Sequence, residues 1–102
     1  MTIAIFGKHI GEEYIAYLRG LISRLQEHGI GVMCEESFAR LLEEKFSYVP
    51  GFVRTFGREG VKRGEVAMLL SIGGDGTFLD SVVYVKDDGV PVLGVNSGRL
   101  GF

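Results

Sequence analysis

Apolar residues along this chain follow two periods in turn. Short unbroken apolar runs, each closed by glycine or a charged residue, alternate with segments in which apolar residues recur every three or four positions. The first run, Thr2–Lys8 (TIAIFGK), is rich in branched residues and ends in glycine, which predicts a buried strand. Glu12–His28 then places Tyr14, Leu18, Leu21 and Leu25 on one face, with Ile15 and Ile22 beside them, and predicts a helix. Glu12 and Glu13 suit the positive end of its dipole, and His28 followed by Gly29 suits its end. Gly20 inside it costs about 1 kcal/mol relative to alanine, so close packing is expected there. Ile30–Glu35 reads as a second strand, and Phe38, Leu41, Leu42 and Phe46 as a short second helix. Residues 47–64 break the pattern with Pro50 and four glycines. Glu65–Ile72 is a nearly all-apolar third strand, as a strand buried on both faces would be. Thr77–Val85 is a third helix and Val90–Val95 a fourth strand, with Pro91 tolerable at its start.

Strand and helix thus alternate from end to end. That order predicts an α/β domain: a Rossmann-like parallel sheet of about four strands with helices on both faces. No internal repeat or low-complexity segment interrupts it.

Composition narrows the picture. The chain has 102 residues, 46% hydrophobic and 24% charged, close to the globular average, so disorder does not describe most of it. A net charge of −2 creates no field that would recruit nucleic acid or an anionic membrane, and neither is expected as a partner. No apolar run reaches the length of a membrane span, and the first residues lack a signal-peptide pattern. The single cysteine, Cys34, cannot form an internal disulfide; it reads as a buried structural thiol in a reducing, cytoplasmic setting. The chain stops at an apolar segment, GRLGF, which suggests a piece of a longer polypeptide and an exposed apolar end that favours self-association into a homo-oligomer.

The chemistry concentrates in LSIGGDGTFLDSVV, Leu70–Val83. Ligands of parallel sheets bind outside the carboxyl ends of the strands, where this loop falls. Gly73, Gly74 and Gly76 let a ligand approach the backbone, and successive amides at a helix start favour phosphate. Thr77 is expected to cap the helix, with Asp80 reaching back. The loop is not a P-loop, which needs GK[ST] after its glycines, and it lacks the GxGxxG dinucleotide spacing. It carries Asp75 instead. A carboxylate about 5 Å from a phosphate charge is repelled by roughly 1 kcal/mol in water and by more in a dry site. Either a divalent cation offsets that, or Asp75 faces a neutral hydroxyl beside the phosphates; both arrangements suit phosphoryl transfer. The plainer alternative is a tight strand-to-helix turn in which Asp75 bonds nearby amides.

A second motif, GVNSGRLGF (Gly94–Phe102), closes the fourth strand. GGDGTFL and GVNSGRLGF, separated by one helix, resemble the NAD kinase family, as do the opening IAIFGK and the segment Glu35–Leu42. GGDGT alone also resembles lipid kinases and phosphofructokinases; the second motif makes the distinction. The resemblance spans the chain but corresponds only to that family's N-terminal domain. It implies phosphoryl transfer from ATP or polyphosphate to the 2′-hydroxyl of the adenosine ribose of NAD, with a divalent cation, usually Mg²⁺. It implies Asp75 as base, Gly73, Gly74, Gly76 and Thr77 at the phosphates, and Phe102 near the adenine. Asn96 to Arg99 would position rather than react. Ser97 stands where many members carry threonine, which keeps a hydroxyl. The family's Asn-Glu motif and β-rich C-terminal domain lie beyond this sequence, so little or no turnover is expected of these residues alone.

Other residues have blander alternatives. Lys8 follows the first strand and could reach a phosphate or remain a solvated loop lysine. Arg54, Arg58, Lys62 and Arg63 could contact nucleotide or polyphosphate, or form a flexible solvated linker. Arg99 could bind phosphate, a further domain or loop carbonyls. His9 and His28 read as loop and helix-end residues without metal-ligand spacing. Two rival functions remain beside the kinase reading: a lipid-hydroxyl kinase, and a non-catalytic nucleotide-binding module.

Overall fold

A computed structural model describes residues 1–86 and 88–96; for Asp75 and Asn96 it describes the backbone only. The elements are β1 (Thr2–Gly7), α1 (Glu12–Glu27), β2 (Gly31–Glu35), α2 (Glu36–Phe46), β3 (Arg54–Phe56), β4 (Met68–Gly73), α3 (Asp75–Val85) and β5 (Val92–Asn96). The strands form a five-stranded sheet in the order β3-β2-β1-β4-β5, with every pair parallel. The α/β reading is right, and the sheet has one strand more than the pattern suggested.

The extra strand, β3, lies in the stretch that broke the pattern. It has three residues, of which Arg54 and Thr55 are exposed and only Phe56 is buried. So short an edge strand gives no recognisable alternation. Its surroundings are not a linker: Arg54 pairs with Glu65, and Val61 and Val66 are buried in the core. Val61 donates its amide to the carbonyl of Tyr84 at 2.8 Å, which ties the returning segment to α3.

Two apolar layers cover the sheet. On one face Ile3, Ile5, Val32, Cys34, Leu70 and Ile72 pack against Leu18 and Ile22 of α1 and Phe38 and Leu42 of α2. On the other, Ala4, Phe6, Met33, Phe56 and Leu69 meet Val85 of α3 and the 57–66 segment. Each fully buried large side chain contributes about 1.5–3 kcal/mol. Tyr84 pins α3 to the sheet through ring contacts with Phe6 (4.9 Å between centroids) and Phe56 (5.6 Å). Cys34 is fully buried and burial pushes its thiol up, so it stays protonated and inert, as its apolar context suggested.

Local chemistry explains the element ends. The Glu35 carboxylate accepts from the amides of Ser37 and Phe38 and from the Ser37 hydroxyl, and so caps α2. Gly20 proves to be open: a Cβ there would meet nothing within 4 Å, so the close packing expected for it is absent. Gly20→Ala should therefore stabilise the domain by about 0.5–1 kcal/mol, read as a higher urea midpoint at unchanged slope. The outer face of α3 stays apolar, with Leu79, Val82 and Val83 exposed beside Leu93 of the edge strand β5.

Candidate functional site

The strand order places β1 and β4 side by side, with α1 and α2 on one face and α3 on the other. The chain runs outward from β1 to β3, then crosses back to start again at β4. That is a topological switch point, and the crevice at its carboxyl end is where open parallel sheets hold ligands. Gly7 of β1 pairs with Ile72 of β4, and the Lys8 amide donates to the Ile72 carbonyl at 3.4 Å. Gly73 pairs with Asn96 of β5. The two motifs of the sequence, the glycine loop and GVN, thus adjoin at one edge of the sheet.

Gly73 has φ +154°, and a Cβ on it would lie 2.4 Å from Thr77 Oγ1. Thr77 is buried and fills the space a side chain at Gly73 would need. The expected Thr77 cap is therefore corrected. α3 begins two residues earlier, at Asp75, with Gly74 at the cap position and no side-chain capping bond. Thr77 sits in the first turn as a packing residue, and Asp80 does not reach back to the helix start but binds Lys8.

Because Gly74 supplies no side chain, the first amides of α3 have no intrahelical acceptor and no capping bond from a described side chain. The first helical bond runs from the Phe78 amide to the Gly74 carbonyl at 3.1 Å. Gly74 and Gly76 are exposed, and a Cβ on either would meet nothing within 4 Å. The result is a run of donors at the positive end of a helix, open to solvent at the switch point. Such a geometry favours an anion.

Lys8 Nζ donates to Asp80 Oδ2 at 2.6 Å, with the two side chains 45% and 51% exposed. The ammonium also lies 5.9 Å from the Phe6 ring centroid. Lys8 thus stands where its position after β1 suggested, on the same side of the sheet as the glycine loop. Burial raises the Tyr84 phenol, and Glu35 adds to the effect by charge and hydrogen bonding, so the hydroxyl stays protonated at neutral pH.

The basic cluster does not gather at the loop. Arg54 pairs with Glu65, and Arg63 bridges Val66 just before Ala67 bonds Thr2 at the opposite end of the sheet. Arg58 follows β3 and lies close enough to Tyr84, near the far end of α3, to act on its phenol by charge. His9 lies in the loop after β1 and His28 ends α1, as expected. Arg99 and Phe102, as well as Ser97, lie outside the described residues.

Beneath the loop, Ser71 of β4 is buried and its hydroxyl has no partner among the described residues, whereas Ser81 of α3 donates to the Phe78 carbonyl at 2.6 Å. A buried hydroxyl without a partner carries a desolvation cost, so Ser71→Ala should leave stability unchanged or raise it by up to about 1 kcal/mol. A clear fall in the melting temperature of that variant would show that the hydroxyl is satisfied in solution.

Sequence reasoning missed the Lys8–Asp80 pair and the Glu35 cap. The cap had a signal: an acidic residue just before the apolar period of α2. The ion pair had none, because the order of elements along the chain does not reveal that β1 and β4 are neighbours.

Fold and site together define a doubly wound α/β domain with an exposed glycine loop at its switch point. A family model described as the ATP-NAD kinase N-terminal domain matches residues 3–102, and the chain belongs to that family. It is 37% identical over its whole length to the NAD kinase of Cytophaga hutchinsonii, of which it covers 35%. It is 36% identical to that of Flavobacterium psychrophilum, again over its whole length and 34% of the relative. With the NAD kinase of Porphyromonas gingivalis it shares 36% identity over 98% of its length and 34% of the relative. The chain therefore spans about a third of the length of these curated relatives.

Proposed function

We propose that this chain is the N-terminal nucleotide-binding domain of an NAD kinase, which transfers a phosphoryl group from ATP or polyphosphate to the 2′-hydroxyl of the adenosine ribose of NAD. The observation that carries the reading is the uncapped start of α3 behind two open glycines at the switch point, coupled to family membership. In this reading the amides of the loop hold phosphate, Asp75 takes the proton of the attacking hydroxyl, and Thr77 fixes the loop by filling the space above Gly73. Asn96, beside Gly73, helps to position the acceptor. Lys8 adds positive charge at the phosphate side, and Phe102 and Arg99 contribute to the nucleotide and its surroundings.

Among the described residues no three His, Cys, Asp or Glu side chains converge to hold a metal. In this reading Mg²⁺ comes with the donor's phosphates as part of the substrate, where it would supply charge neutralisation. A cytoplasmic setting fits the chemistry, since the substrates in this reading are small nucleotides. Self-association is the accompanying partner reading, supported by the apolar face of α3 and β5. A β-rich C-terminal domain is expected to complete the NAD site.

The test is NADP formation by a polypeptide of the relatives' full length carrying these residues, with ATP, polyphosphate and a diacylglycerol offered in turn. Phosphorylation of NAD is the expected result. Transfer to the lipid hydroxyl, or binding of nucleotides with no transfer, would replace the reading with one of its two rivals.

A further inference from the structure

Glu35 ends β2 and is buried, and its carboxylate accepts the Ser37 and Phe38 amides and the Ser37 hydroxyl at the start of α2. α2 covers one face of the sheet. From the other face comes Tyr84 of α3. Its ring packs on Phe6 of β1 and edge-on against Phe56 of β3, the residue paired with Glu35 across the sheet. Burial raises its phenol, and the Glu35 carboxylate adds to the effect by charge and hydrogen bonding. One carboxylate at the carboxyl end of the sheet thus serves helices of both layers.

α3 is held from one side only, since Leu79, Val82 and Val83 on its outer face are exposed. Thr77 over Gly73 stops the start of the helix from moving inward, but a steric stop does not oppose an outward tilt. The Lys8–Asp80 pair, one turn before Tyr84, is about half exposed and adds little hold. A hydrogen bond to a buried carboxylate is the stronger tie. At the same place the Tyr84 carbonyl accepts the Val61 amide, so the far end of α3 is the fixed one.

We infer that Tyr84, held by Glu35, sets the tilt of α3 and with it the position of the glycine loop. The inference rests on the catalytic reading of that loop. Asp75, at the start of α3, lies nine residues before Tyr84, or about 14 Å along the helix axis. A tilt of about 4° about Tyr84 moves the loop by about 1 Å, and a misplacement of that size can cost about 10²-fold in rate. Both Tyr84 and Glu35 act through the backbone of α3 and are positioning residues.

The test uses a polypeptide of the relatives' full length carrying these residues. Tyr84→Phe keeps the ring and its two aromatic contacts and loses only the hydroxyl. It should lower kcat for NADP formation about 3–10-fold, a part of what a full 1 Å shift costs, with KM for NAD changed less than about twofold. Ile22→Val, in the α1 layer on the opposite face, is the stability control: its melting temperature should fall and its kcat should not. Glu35→Gln weakens the acceptor and should lower kcat too, but should add less than half as much in the Tyr84→Phe background. An unchanged kcat in Tyr84→Phe overturns the inference, as does a raised KM alone, which would mean contact with the ligand. Equal kcat losses in Ile22→Val and Tyr84→Phe would reduce the effect to general stability, and fully additive losses in the double variant would separate the two residues; either overturns it. If even the wild type forms no NADP, the kinase reading falls, and amide exchange decides the positioning. Faster exchange across residues 74–78 in Tyr84→Phe than in the wild type then upholds it, and equal exchange overturns it.

Discussion

Asp75→Asn in the full-length polypeptide should reduce NADP formation by about 10²–10⁴-fold, the span usually lost with a general base. Asparagine has nearly the shape of aspartate, so the loop backbone at the start of α3 is kept. It cannot take a proton from a hydroxyl. The side chain also sits at the first helical position, where a negative charge gains about 0.3–1 kcal/mol from the dipole, so the variant loses only a little stability. Phosphate repulsion falls at the same time, and nucleotide affinity should hold or improve. A coupled NADP assay and an NAD titration on the same protein separate the two effects. Persistent turnover in Asp75→Asn would remove it from the role of base and leave the loop as a turn whose aspartate bonds nearby amides.

The second large effect concerns the fold of the loop itself. Gly73→Ala places a Cβ 2.4 Å from Thr77 Oγ1 and 2.8 Å from its Cβ, and adds the strain of a φ that side chains rarely adopt. Thr77 is buried in the first turn of α3, directly over Gly73 of β4. Overpacking of this kind costs about 1–3 kcal/mol, which for a domain of this size lowers the melting temperature by roughly 5–20 °C. Gly76→Ala makes the contrast. Its Cβ meets nothing, and alanine suits a helix better than glycine, so stability should rise by about 0.5–1 kcal/mol while phosphate binding suffers from the added methyl. Thermal melts of the two variants beside the wild type are sufficient. A Gly73→Ala protein that melts with the wild type would show that Thr77 does not lock the loop.

What the sequence made legible follows from how each element earns its stability. β4 and α1 are governed by burial, and burial leaves a period or a run: MLLSIG is buried but for Met68, and α1 buries Leu18 and Ile22 on the expected face. β3 is governed by pairing with β2 along only three residues, and backbone pairing leaves no mark on residue type. The start of α3 was misplaced by two residues because Thr77 and Asp80 imitate a capping box, while the packing of Thr77 over Gly73 decides where the helix begins. The glycine loop stood out in the sequence because three glycines surround one aspartate, whereas the open space at Gly74 and Gly76 and the close fit of Thr77 over Gly73 belong to the folded chain. The partnership of Lys8 with Asp80 depends on sheet order, a property of the assembled fold.

The central place of β1 also governs how the domain is built in time. β1 precedes the other strands, yet it completes its pairing only when Ile3 meets Met68, far along the sequence. Its other neighbour, β2, is available early, so β1, α1, β2 and α2 can collapse together as one layered half. The crevice has no second wall until β4 docks, and no helix at its rim until α3 follows. Closing so long a loop is slow relative to local pairing. The crevice between β1 and β4 is therefore completed late among these residues, because it needs the most distant strand pairing.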